Sequence, residues 1–132
     1  MTYENINNIL FERLPELRMI AKEAIEEELT FWKAKDVCEI PSYCLLETIV
    51  GDYMRSLLLE NGDVSYIKRL FDFFEEMATC EDIDVRTLLK VGFLEQLFAG
   101  DILLPTSHKY MHEQTRILCD QLIPYFRKPS NG

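Results

Sequence analysis

Glycine is scarce and scattered: the five residues, at 51, 62, 92, 100 and 132, never come closer than eight positions apart. A phosphate-cradling loop needs several glycines within one turn, so neither a P-loop nor a dinucleotide fingerprint exists. Basic residues come at most in pairs, Lys68-Arg69 and Arg127-Lys128. Nucleic-acid binding relies on clustered Lys and Arg displacing counterions, and an anionic membrane surface asks for the same clusters, so both partners are excluded. Charges interrupt every apolar run well short of the ~20 residues of a bilayer span. Cys38, Cys44, Cys80 and Cys119 lack a CxxC spacing, and a chain of this size needs no staples, so four reduced thiols are expected. Neither a GxSxG turn nor a Cys-His signature is present, which removes nucleophilic catalysis. Met1 is followed by Thr2-Tyr3-Glu4-Asn5 with no basic n-region, and the expected compartment is the cytoplasm.

What is present is a chain of 132 residues, 48% apolar, with 23 acidic against 14 basic side chains and a formal net charge of -9. Such a chain buries roughly two thirds of its unfolded surface and folds as one domain, residues 1–132. The hydrophobic period is helical throughout, which predicts an all-α bundle of about six helices. The first runs from about Glu4 to Leu14, where Pro15 disfavours helical geometry in the residue before it. Pro15 and Glu16 suit the first turn of a second helix, reaching about Lys33. After a linker, Lys35 to Pro41, a third helix spans Tyr43 to Glu60, started by Ser42 or the residue before it and stopped by the turn signal Asn61-Gly62. Asp63 caps the fourth, whose stripe of Ile67, Leu70, Phe71, Phe74, Met77 and Ala78 opposes Lys68, Arg69, Asp72, Glu75 and Glu76. Asp84 caps the fifth, which ends at Ala99-Gly100. Asp101 to Leu104 has room for an extended piece, a loop runs through Pro105, and a sixth helix covers about Ser107 to Phe126. The tail, residues 128–132, is expected to fray.

The fifth helix stands apart. Past Arg86 and Lys90, the residues Val91, Phe93, Leu94, Leu97 and Phe98 point in nearly every direction, and a helix apolar on all sides is buried. It is expected to be central, with Leu94 and Phe98 largely enclosed. Gly92 in its middle costs about 1 kcal/mol of propensity against Ala, which suggests a second backbone close by, with Gly51 as its counterpart.

Val64 to Leu97 resembles a HEAT-type hairpin: a first helix ending near Cys80, a short acidic turn, then Asp84-Val85-Arg86 followed by Leu89, Phe93 and Leu97. The resemblance implies the Asp and Val-Arg that open the second helix of that repeat, in a family whose repeats stack into protein-binding solenoids. The whole chain, with Pro15-Glu16-Leu17, Gly51-Asp52-Tyr53 and Val91-Gly92-Phe93-Leu94-Glu95, is similar to small uncharacterised bacterial helical domains. Some proteins of that kind are immunity proteins that neutralise a toxin.

Three groups of residues bear on chemistry. His108 and His112, four apart, share a face if the sixth helix extends that far, half a zinc site; Cys119 lies about two turns on, too far to join His108. The expected state is a solvated helix start with no metal. Glu28 sits near the centre of the second helix's apolar stripe, where a buried carboxylate needs a partner or a raised pKa; it is expected to reach water or a basic side chain. Glu95, on the apolar half of the fifth helix, is expected to satisfy a donor such as Tyr53 or Arg86. No cofactor is implied.

Between Arg69 and Arg86 stand six acids and no base: Asp72, Glu75, Glu76, Glu81, Asp82 and Asp84. Three lie on the outer face of the fourth helix and three in the turn that follows, so the fold gathers them at one end. A contiguous negative patch steers a basic partner and raises its on-rate; the alternative is a solvated face serving solubility. The expected function is therefore a non-catalytic acidic protein-binding module of inhibitor or immunity type, engaging a basic protein. The alternative is a ligand- or metal-binding sensor or enzyme that uses Glu28, Glu95 or the His108 and His112 pair.

Overall fold

A computed structural model describes residues 1–17, 22, 26, 27, 30, 33, 42–60 and 62–126. The described residues are helical and contain no strand. Most of the predicted second helix with Glu28, the linker, and the tail lie outside them. No helix among them is long and apolar enough to cross a membrane.

Helix α1 (Ile6–Arg13) buries Ile6 and Leu10. Leu14 and Leu17 on either side of Pro15 are also fully enclosed, so the chain stays on the core as it turns. Helix α2 (Ser42–Leu59) stops where the Gly62 N–H donates back to the Leu57 carbonyl at 2.8 Å, and a side chain at 62 would collide with Leu57. Helix α3 (Val64–Ala78) begins as expected: the Asp63 carboxylate accepts from the Ser65 N–H at 2.8 Å and the Ser65 hydroxyl at 2.7 Å. Its buried stripe is the predicted one, widened by Phe73.

Helix α4 (Ile83–Thr87) is capped by Asp82 rather than by the predicted Asp84. Asp82 accepts from the Asp84 N–H at 3.0 Å, and Asp84 sits in the first turn, where its charge complements the dipole. The chain then winds on without a break as a π-turn, Leu88–Phe93, and a 3₁₀ stretch, Leu94–Phe98. The whole run, residues 83–98, packs against α2, α3 and the two helices that follow. Leu88, Leu89, Phe93, Leu94 and Leu97 are buried, but Val91 is 52% exposed and Phe98 only half-buried. The run therefore keeps an open side, contrary to the expectation of apolar burial all round. Val91 falls in step with exposed Ile83 and Thr87 at the α-helical spacing, and beyond it the π and 3₁₀ winding shifts the side-chain phase, which a constant period of 3.6 does not anticipate.

The predicted sixth helix is two. Helix α5 (Leu103–His108) takes up residues expected to be loop or extended chain, and Pro105 lies in its first turn, where a missing N–H breaks no bond. A turn through residues 109–112 follows, with the Tyr110 N–H on the Ser107 carbonyl at 2.9 Å, and helix α6 (Glu113–Phe126) completes the bundle.

The centre of the core is aromatic. Phe71 and Phe74 meet edge to face with centroids 5.0 Å apart, and Phe93 stacks on Phe74 at 5.5 Å, joining α3 to the π-turn. Gly51 and Gly92 are linked through one side chain rather than by backbone contact. The Gln96 carboxamide lies where a Cβ on Gly51 would stand, and its Nε2 donates to the Glu47 carbonyl at 3.0 Å and the Gly92 carbonyl at 2.6 Å. Its Oε1 accepts from Arg55 Nη1 at 2.6 Å. The nearest atom to a Cβ on Gly92 is Leu88 Cδ1.

Candidate functional site

The six acids fall into two sets according to what their carboxylates already hold. Glu75 reaches from α3 to the start of α6, accepting the Thr115 N–H at 2.8 Å, the Thr115 hydroxyl at 2.9 Å and the Gln114 N–H at 3.1 Å. It supplies from another helix the cap that α6 lacks locally. Glu76 takes both oxygens to Arg13 Nη1, at 2.7 and 2.6 Å, and ties α3 to α1. Asp82 caps α4 and also accepts the Tyr3 N–H at 2.9 Å; these backbone bonds hold its carboxyl below the usual carboxylate range. Asp72 faces His112, with Oδ1 and Nε2 2.6 Å apart. Four of the six are thus engaged in holding the fold. Glu81 and Asp84, both exposed, have no hydrogen-bond or ion-pair partner for their side chains among the described residues.

The local cations are occupied as well. Arg69 Nη2 reaches Glu16 at 3.2 Å and the Arg13 carbonyl at 3.0 Å, and Arg86 Nη1 donates to the Cys80 carbonyl at 2.8 Å. Arg86 is therefore not the partner of Glu95. Nor is Tyr53, whose hydroxyl turns to Glu16 at 3.4 Å and whose pKa is pushed up by burial and then by that carboxylate. Glu95 instead lies near Glu47 of α2; burial first and the Glu47 charge second raise its carboxyl above the usual range.

Glu47 and Asp84 border a groove of about 410 Å³ between α2 and α4, lined also by Tyr3, Thr87, Leu88, Val91 and Gly92. Most of that lining is apolar. Beside it Ile83, 64% exposed, and Val91 stand eight residues apart on the open side of the run, with exposed Thr87 between them. The i, i+4, i+8 spacing of Ile83, Thr87 and Val91 was the available signal for this face; the apolar character of Val91 had pointed inward instead. A second groove, of about 410 Å³ between α3 and α6, is lined by Asp72, Glu75, Glu76, Thr79, His112 and Glu113.

His108 ends α5 and His112 precedes α6, so the two do not share a helical face, and among the described residues no three His, Cys, Asp or Glu side chains are placed to hold a metal ion. Cys119 is buried and its thiol is pushed up to about 11, chiefly by that burial, which keeps it protonated. Cys80, half-buried, donates its Sγ to the Met1 carbonyl at 3.0 Å. No curated protein and no solved structure matches the chain. The family model described as Domain of unknown function (DUF7674) matches residues 7–127, and the chain belongs to that family.

Proposed function

We propose that this domain is a non-catalytic, acidic protein-binding module of the cytoplasm, of inhibitor or immunity type, which engages a basic partner and blocks it sterically. One observation carries the reading. The carboxylates of Glu47 and Asp84 on the α2–α4 groove, of Glu95 near Glu47, and of Glu81 in the turn before α4 have no cationic partner among the described residues, while Arg13, Arg69 and Arg86 are spent elsewhere. Negative potential that the fold does not neutralise acts outward, where it steers an oppositely charged protein. The likeness of Val64–Leu97 to a HEAT-type hairpin, and of the whole chain to small bacterial helical domains, a kind that includes immunity proteins, belongs to the same proposal.

The test is reversal of Glu47, Glu81 and Asp84 to Lys. Glu76 and Asp82 are poor choices, because one holds Arg13 and the other caps α4. Wild-type and triple-variant baits are used for pull-down from the native lysate, and association rates are measured at two ionic strengths. The variant should lose the partner, and salt should slow association of the wild type. Equal recovery by both baits, with rates indifferent to salt, would reduce these carboxylates to a solvated face.

A further inference from the structure

We propose that the groove between α2 and α4, with the exposed ridge of Ile83 and Val91 along its side, docks the apolar face of a basic amphipathic helix contributed by the partner. The inference rests on the binding-module reading and names its site. Ile83 and Val91 lie about two turns apart on the run, and two large β-branched side chains left in water on one face are a ridge for another helix. Tyr3, Leu88 and Val91 give the adjoining groove an apolar floor. A helix is about 10–12 Å across with its side chains, so a space of about 410 Å³ admits side chains from one laid across it and excludes the helix itself.

Charge selects the occupant. Asp84 lies next to Ile83 in the first turn of α4, and Glu47, with Glu95 near it, lies by Gly92, whose carbonyl shares the Gln96 amide with that of Glu47. A Lys or Arg flanking the incoming stripe lays its methylenes on Leu88 or Val91 and its head against a carboxylate. A second copy of this chain, itself at -9, would bring carboxylates against carboxylates across the groove. An acidic or uncharged apolar helix gains nothing from Glu47 and Asp84 and desolvates both.

The probe is an acetylated, amidated peptide of about 15 residues, the length at which an Ala-rich helix becomes marginally stable alone. It is built from Ala, Leu and Arg, with Leu on one stripe and Arg at its borders. Controls are a scramble of the same composition and the striped peptide with citrulline for Arg. Affinities come from fluorescence anisotropy at low and at physiological salt, and ¹H–¹⁵N shifts locate the site.

The striped peptide should bind at least about tenfold tighter than its scramble, with shifts at Asp84, Val91 and Gly92. Val91→Glu should remove that preference. Citrulline, or Glu47→Gln with Asp84→Asn, should weaken binding and flatten its salt dependence, while Asp72→Asn in the α3–α6 groove should change nothing. Ile83→Ser, at a more exposed position, repeats the Val91 test, with far-UV circular dichroism confirming the fold of each variant. Equal binding of stripe and scramble, indifference to both ridge variants, or no binding of the stripe at low salt would overturn the groove as a helix site. Salt-dependent binding without preference for the stripe would overturn it and leave the acidic-module reading standing; a pull-down insensitive to charge reversal and salt would remove that reading instead.

Discussion

Gly51→Ala separates the role of one side chain from that of the backbone around it. Gly51 lies inside α2, and alanine there gains about 1 kcal/mol of helix propensity. The new methyl would occupy the place of the Gln96 carboxamide, which is the free end of a flexible side chain and can be driven out without moving any backbone. Eviction forfeits its hydrogen bonds to the Glu47 carbonyl, the Gly92 carbonyl and Arg55. At roughly 0.5–1.5 kcal/mol each, and with Gln96 partly in contact with water, their joint loss is about 2 kcal/mol. Gly51→Ala alone should therefore destabilise by about 1 kcal/mol, Gln96→Ala alone by about 2, and the pair by about 1, since the alanine then fills vacated space and keeps its propensity gain. The cycle yields a coupling of about -2 kcal/mol, well outside the additivity expected of independent sites. Urea unfolding followed by circular dichroism measures all four proteins. If Gly51→Ala stabilises the wild type as much as it stabilises Gln96→Ala, Gln96 does not sit over Gly51 and the clamp between α2 and the π-turn does not exist.

Phe93→Ala should cost about 3–5 kcal/mol, because the ring is fully enclosed and stacked on Phe74, while Phe98→Ala should cost less by at least about 1 kcal/mol, since Phe98 is only half-buried beside Phe126; chemical denaturation ranks the two. Glu75→Ala removes the cap that α3 lends to α6 and should cost roughly 0.5–2 kcal/mol, with hydrogen exchange accelerating first at the Gln114 and Thr115 amides. Glu95 carries a folded pKa raised above its unfolded value, so the folded chain binds this proton more tightly. Its carboxyl favours the fold below the unfolded pKa and loses that advantage as pH rises through the folded one. Glu95→Gln should accordingly raise the melting temperature at pH 7 relative to wild type and not at pH 4; a difference of the same size at both values would remove the burial and Glu47 repulsion inferred for it.

Local chemistry made the helices legible in the sequence. Asp63 before Val64 and the Ile67–Ala78 stripe determine α3 by capping and by period, both properties of adjacent residues, and Gly62 likewise closes the end of α2. The all-α class follows because no segment alternates with period two. What the sequence alone did not disclose depends on winding and on partners far along the chain. Val91 keeps step with exposed Ile83 and Thr87 on the open side of the run although its apolar side chain pointed to the core, and only the position of α2 made Glu47 its neighbour across a groove. The acids between Asp72 and Asp84 read as one patch because sequence records charge without contacts. Arg13 is 63 positions from Glu76, and Thr115 is 40 from Glu75. Those distances close only when α1 and α6 pack against α3, and that packing decided which carboxylates hold the fold together and which are left exposed.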